Sequence, residues 1–405
     1  MPTRPTPFSS LPSNTRPGEP LAPWTYSNAE LFELEYEALF LSRWQFAGHV
    51  NDIPAVGDFL TTEIGRDSIA VIRGKDLQLR AFLNVCRHRA SRILEGSGTC
   101  RGVVRCPYHG WTYRLDGTLM AIPQEENFPG ADRSQLGLHN VQLEVFHGLI
   151  FVRAKGEGPG IADHFAHTAH YFECYGVADY EQIAETTTQV WNVNWKVAWD
   201  NFLENYHIPV GHPGLNRLLK ENDEWDELDS GVSYGAFLLR DKPSKVEVER
   251  LYQEQFHHAN HRVPGELKGK WVQFGVAPNL GIDLYPEMLD TFQLVPLGTD
   301  STLVRAAFYG HRNPTPEETE LRRLNLLIND AVNVEDQQLC SRVQKGLRTY
   351  GYAPGPLSLQ ESGVFNFHEM VRKLIPVAAL TAPPVAGTVS AENVRLSAKK
   401  PMLQD

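Results

Sequence analysis

Four residues constrain this chain more than any other feature. The segments LNVCRHRAS and VVRCPYHGWTY place Cys86 and His88 two apart, then, after seventeen intervening residues, Cys106 and His109 three apart. In extended backbone, residues two apart point to the same side, so Cys86 and His88 can face one metal together. The second pair suits a tight turn, and Pro107 and Gly110 supply its backbone constraints. Two thiolates and two imidazoles make either a tetrahedral zinc site or an iron–sulfur cluster with both cysteines on one iron and both histidines on the other. Zinc fingers pair Cys with Cys and His with His along the chain, whereas here each half gives one of each. That order favours the cluster.

The pattern closely resembles the Rieske [2Fe–2S] motif, down to the Gly110-Trp111 that follows the second His. The resemblance implies that each loop gives one Cys to one iron and one His to the other. Respiratory Rieske proteins carry a second Cys in each loop; here Arg87, Arg89 and Tyr108 stand beside the ligand positions. The likeness is therefore to the ferredoxin and oxygenase branch. Arg87 and Arg89 are placed either to donate charge-assisted hydrogen bonds near the cluster or to be solvated.

A second constellation follows about a hundred residues later, in NWKVAWDNFLENYHIPVGHPGL. Trp195, Trp199, Phe202 and Tyr206 recur at helical spacing, the stripe that docks a helix on its core. Asn201, Glu204 and His207 fall on an adjacent face. Pro209 interrupts the helix, so the chain is expected to turn over Ile208 to Gly211 and bring His212 back toward His207. Two imidazoles and one carboxylate, with positions left open, suit a non-haem Fe(II) centre that meets O2 and a substrate. The carboxylate is expected from a long helix starting at Thr315, where T-P-E-E is a capping box with Pro at the first helical position. On that helix Asp336 lies on a stripe with Val332, Leu339, Cys340 and Val343, where an unpartnered carboxylate would be costly. Glu335 points about 100° away.

Glu204-x2-His207-x4-His212 with the late helix resembles the catalytic domain of Rieske non-haem iron oxygenases, large (alpha) subunits, over about residues 30 to 375. The resemblance implies Cys86, His88, Cys106 and His109 as cluster ligands and His207, His212 and Asp336 as ligands of a mononuclear iron. Asn201 and Glu204 are the candidate catalytic residues beside them. The family usually has Asp where this chain has Glu204. That acid typically links a cluster histidine, here His109, to an iron histidine of the neighbouring subunit in a head-to-tail homotrimer.

The expected fold class is α+β: a small all-β Rieske domain, and a catalytic domain whose antiparallel sheet is covered by helices, of helix-grip type. Residues 1–43 read as an arm and a helix capped by Asn28, 44–154 as the Rieske domain, 155–375 as the catalytic domain and 376–405 as an aperiodic Ala/Pro/Val-rich tail. The formal charge of -11 offers no footprint for nucleic acid. No segment reaches the ~18 apolar residues of a membrane helix, and the N-terminus lacks a signal-peptide core, so a cytoplasmic protein is expected. His257, His258 and His261, like His164, His167 and His170, read as solvated faces. Cys100, Cys174 and Cys340 read as ordinary thiols.

The resemblance implies that a separate reductase, with or without a ferredoxin, passes electrons from NAD(P)H to the cluster while O2 is consumed beside the substrate. No G-x-G-x-x-G follows a strand, so flavin and nicotinamide belong to that partner. Phe237, Trp271, Tyr285 and Phe292 are available to line a pocket, suited to an aromatic ring or to a quaternary amine such as a betaine or carnitine. Ring hydroxylation of an aromatic is the first expectation and monooxygenation or N-demethylation of the amine the second. A Rieske electron carrier is the reading from another class, and it leaves about 250 residues without a purpose.

Overall fold

The computed structural model describes residues 18–220, 225–227, 231–256 and 262–398. His257, His258 and His261 lie outside the described residues. Two antiparallel sheets make up the amino-terminal half. The larger has seven strands in the order Gln45–His49, Leu149–Arg153, Asn140–Phe146, Leu79–Leu83, Asp67–Arg73, Asp58–Ile64 and Ser97–Thr99. The smaller is Val103–Arg105, Thr112–Arg114 and Leu119–Ala121. The Cys86/His88 loop leaves the strand Leu79–Leu83, and the Cys106/His109 loop joins the first two strands of the small sheet.

The carboxy-terminal half is a seven-stranded antiparallel sheet running Tyr180–Trp191, Ser301–His311, Leu289–Gly298, Leu280–Leu284, Lys270–Val276, Val232–Leu238 and Trp225–Glu227. The long helix lies across it. That helix spans Pro316–Gly346 and opens with the expected box: Glu318 N donates to Thr315 Oγ1 at 3.2 Å, and Thr315 N to Glu318 Oε2 at 2.8 Å. Its Leu321, Leu324 and Ile328 bury against Trp271, Tyr285 and Phe308.

Asn28 caps the first helix, Ala29–Glu35, through Oδ1, and one π turn continues it over Tyr36–Leu41. Glu35 is carried inside, where it binds Lys196 Nζ at 2.6 Å and Trp195 Nε1 at 3.0 Å, with both charged side chains 1% exposed or less. Removing one partner of such a pair leaves an uncompensated buried charge. Glu35→Ala is expected to cost about 3–5 kcal/mol, read as a lower urea midpoint. An unchanged midpoint would show that the pair adds no net stability.

Two expectations are corrected here. The helix Trp195–Phe202 stops well before His207, so Asn201 is helical while Glu204 and His207 follow the helix end, and Tyr206 is exposed rather than docked. The expected turn over Ile208 to Gly211 is a short helix with Pro209 at its start, where a missing N–H costs nothing, and it brings His212 back to His207 as expected. Within the stretch expected as an aperiodic tail, the described residues 376–398 are not aperiodic. Pro376–Ala379 forms a 3-10 turn and Val389–Ser397 a helix, with Val377, Ala378 and Val389 buried. Glu30 accepts Gly387 N at 2.6 Å and Val389 N at 3.1 Å, so the first helix of the chain caps the last.

Candidate metal centres and the cavity between the sheet and the long helix

The two Cys/His loops are backbone copies of one another. Cys86 N donates to Ser91 O and Ala90 N to Cys86 O; Cys106 N donates to Trp111 O and Gly110 N to Cys106 O. Each loop thus closes the same turn, and Ala90 and Gly110 occupy the matching left-handed position, at φ 56° and 73°. The cysteines are buried and the histidines half-buried, so the rings lie nearer the tip. His88 stacks on Trp111 at 5.0 Å and meets His109 edge-on at 4.6 Å. Burial, helped by His109 and Arg89, lowers the His88 pKa and keeps the ring in the neutral form that ligates.

Nδ1 of His88 and Nδ1 of His109 are buried with no hydrogen-bond partner. Two orphaned nitrogens side by side need an acceptor of lone pairs. Cys106 is buried, which by itself raises a thiol pKa, yet its pKa is lowered, because the N–H groups of Tyr108 and His109 point at the sulfur. Tyr113 Oη is hydrogen-bonded to Cys86 Sγ at 3.3 Å and accepts Arg87 N at 3.1 Å. Arg87 itself donates to Gly137 O at 2.8 Å. Donors about 2.0–2.3 Å from one zinc are at most ~3.8 Å apart. Among the described residues the only His, Cys, Asp and Glu donors grouped three together within 4.8 Å are those of His207, His212 and Asp336. The four loop donors therefore do not converge on one ion, and they fit a two-iron group rather than zinc.

Those three residues meet where the short helix Ile208–Gly211 abuts the long helix. Gly211 packs closely on the long helix, where a Cβ would stand 2.9 Å from Leu339 Cδ1. His207 Nε2 is 3.0 Å from His212 Nε2, which is 2.9 Å from Asp336 Oδ1; His207 Nε2 to Asp336 Oδ1 is 3.7 Å. On the far side of each ring stands a carboxylate. His207 Nδ1 meets Glu204 Oε1 at 2.5 Å, and His212 Nδ1 meets Glu335 Oε2 at 2.8 Å. A carboxylate can only accept, so both Nδ1 atoms carry the proton, which leaves both Nε2 atoms able to present lone pairs to a cation. Three lone-pair donors are thus turned inward on one point, an arrangement that a cation satisfies. Burial alone pulls the His212 pKa down, but Asp336 and Glu335 outweigh it and raise it.

Asn201 Nδ2 lies 2.9 Å from Asp336 Oδ1 and 3.2 Å from His207 Nε2, and the Cys340 thiol, expected to be an ordinary buried one, donates to Asn201 Oδ1 at 3.2 Å. The thiol fixes which way the amide faces. From the sequence, Glu335 is set aside in favour of Asp336 and Cys340 reads as an ordinary thiol, so the sequence reading missed the roles of both, the one behind His212 and the other on Asn201. Glu204 holds His207 twice, since its Oε2 also accepts His207 N at 3.1 Å. Among the described residues no hydrogen bond joins Glu204 to His109 of the same chain. His164, His167 and His170 form no three-donor cluster.

A cavity of about 140 Å3 opens from this centre between the sheet and the long helix, and Phe237, Trp271, Tyr285 and Phe292 all line it. Phe292 stacks on Phe202, which stacks on Trp199; Gly281 lies under the Phe202 ring, where a Cβ would stand 2.3 Å from it. Missed from the sequence were two carboxylates in the wall. Asp283 and Asp290 are directly paired across neighbouring strands and face the cavity. Burial pushes Asp283 up to about 7 and, together with the charge of Asp283, raises Asp290 well above the carboxylate range.

Among the described residues no helix is long and apolar enough to cross a membrane. Residues 43–142 match the Rieske [2Fe–2S] domain, and 176–376 the ring-hydroxylating alpha subunit catalytic domain. The chain is 31% identical over 378 residues to the glycine betaine monooxygenase oxygenase subunit of Pseudomonas aeruginosa (strain UCBPP-PA14), covering 84% of this chain and 86% of that one. It is 29% identical over 378 residues to the carnitine monooxygenase oxygenase subunit of Escherichia coli (strain K12), covering 88% and 95%. A solved quaternary ammonium Rieske monooxygenase, described for carnitine oxidation and inter-subunit electron transfer, superposes with TM-score 0.76 at 24% identity, over 90% of this chain and 98% of that one, and so shares the fold. With both halves matched and the relatives aligned over most of their length, the chain belongs to the Rieske non-haem iron oxygenases, as an oxidoreductase of the alpha-subunit type.

Proposed function

We propose that this chain is the terminal oxygenase of a multicomponent system, fed with electrons from NAD(P)H by a separate reductase in the cytoplasm, and that it oxidises a methylated amine cation. Cys86, His88, Cys106 and His109 would hold the [2Fe–2S] cluster, and His207, His212 and Asp336 the ferrous ion. Bound there, the cluster supplies single electrons and the ferrous ion supplies O2 reduction. An electron carrier alone has no use for the second donor set or its cavity.

The observation that carries the reading is the convergence of three lone-pair donors at the mouth of an aromatic-walled cavity. Glu204 and Glu335 keep the Nδ1 protons in place, Asn201 and Cys340 set the side of Asp336 that is solvated by an amide, and the stacked Phe292, Phe202 and Trp199 exclude water. Of the two substrate classes, the betaine- and carnitine-oxidising relatives favour the amine over the aromatic ring, because aromatic faces attract a cation within ~6 Å of the ring centroid. The test is substrate-dependent O2 uptake with a surrogate reductase. Methylated amines should stimulate it and benzoates should not; the reverse result would return the ring-hydroxylating reading to first place.

Glu335→Ala is expected to weaken ferrous-ion binding ~10–100-fold, the usual effect of removing a carboxylate behind a ligating imidazole. Titration of the iron-depleted mononuclear site, followed by equilibrium dialysis, reads this directly. Affinity equal to that of the unaltered protein would show that His212 is oriented by packing alone.

A further inference from the structure

We infer that the cavity is built for an organic cation that bears no carboxylate, with Asp283 and Asp290 as the counter-charge for its ammonium group. The inference rests on the amine reading above and narrows it.

The wall chemistry is one-sided. Glu204, Asp283, Asp290, Asp330 and Asp336 line the cavity, and among the described residues no Lys or Arg does. The internal segments outside the described residues, 221–224, 228–230 and 257–261, contain no Lys or Arg in their sequence. Among the described residues, a substrate carboxylate would therefore find no guanidinium or ammonium in the wall to receive it. It would also meet carboxylates, and like charges in a poorly solvated space repel strongly.

The Asp283–Asp290 pair is built rather than incidental. Gln273, Asp283 and Asp290 stand at matched register on three neighbouring strands, so their side chains share the cavity face of the sheet. Asp283 is hydrogen-bonded to both Gln273 and Asp290. Asn329, from the long helix, donates to Asp290 Oδ2 at 2.8 Å and to Tyr285 Oη at 3.2 Å, and to Asn325 Oδ1 at 2.8 Å. Asn325 in turn donates to Glu287 Oε1 at 2.9 Å. Apart from the two aspartates and Glu287, every partner named here is a neutral amide or a hydroxyl, so hydrogen bonds position the carboxylates while none of these partners is cationic. Asp290 is buried and Asp283 half-buried, and two adjoining carboxylates in so poorly solvated a place cannot both ionise cheaply. An ammonium group in the cavity supplies the counter-charge, and the rings of Trp271, Tyr285, Phe237 and Phe292 are there to receive its methyl groups.

Two probes with the same trimethylammonium head isolate the claim: choline, which ends in a hydroxyl, and glycine betaine, which ends in a carboxylate. Binding to the holoenzyme is followed by quenching of tryptophan fluorescence, since Trp191 and Trp271 line the cavity, with benzyl alcohol as a neutral aromatic control. Choline is expected to bind at least tenfold tighter than betaine, and isosteric Asp283→Asn to weaken choline at least tenfold while leaving betaine unchanged or improved. Betaine within tenfold of choline would overturn the carboxylate-free inference and leave the amine reading standing. Choline affinity unchanged in both Asp283→Asn and Asp290→Asn would overturn the assignment of the pair. Binding of benzyl alcohol with neither cation would overturn the amine reading itself. The choline-to-betaine ratio in the unaltered protein needs no variant to fold.

Discussion

His207→Ala is expected to lose one of three irons per chain, keep the visible bands of the cluster, and lose turnover to below a hundredth of the parent. The reasoning is positional. His207 Nε2 is one of only three donors at the second centre, and its ring is fixed from behind by Glu204 and from the side by Asn201. Without the ring two donors remain, and neither Asn201 nor Glu204 reaches the vacated point without abandoning a present partner. The cluster loops belong to the other sheet system and take no bond from His207, so their spectrum should persist. Iron analysis alongside the visible spectrum reads both halves of the claim. Bands that bleach with the variant, or an iron content that stays at three, would end the assignment of two independent centres.

What could be read in the sequence was what is local in the chain. The Cys/His loops are each closed by hydrogen bonds spanning four or five residues, so their residue spacing carries their geometry. The long helix announces itself because Thr315, Pro316 and Glu318 solve the problem of its unsatisfied N–H groups within four residues. The helix end at Phe202 was hidden, because the aromatic spacing runs on to Tyr206 while the backbone does not; Glu204 binds His207 N and so makes a separate turn before the new helix. The Glu335–His212 bond, the Cys340 thiol on Asn201 and the Asp283–Asp290 pair all join segments distant in sequence or set by strand register, and no local spacing signals them. The helix that begins at the buried Val389 is capped by Glu30 from the opposite end of the chain. A nine-residue helix is too short to hold itself without such contacts.

Glu204→Gln separates two roles for one side chain. Glu204 accepts from both the ring and the backbone of His207, and it is 11% exposed while its own chain offers it no bond to His109. A glutamine keeps the length and can still accept from Nδ1, so the iron content should remain normal. It cannot keep the charge, nor accept with both oxygens, and a bridge from His207 to the His109 of an adjoining subunit needs an acceptor for each imidazole. Turnover driven by the reductase should therefore fall about 100-fold or more, with the cluster reduced at its usual rate and reoxidised slowly when O2 and substrate are added. Hydrogen peroxide brings oxygen and electrons together and makes no demand on the cluster, so peroxide-driven product formation should stay within a few-fold of the parent. If both routes fall together, Glu204 acts by holding His207 and carries nothing between subunits; if neither falls, the carboxylate is dispensable and electrons reach the ferrous site by another route.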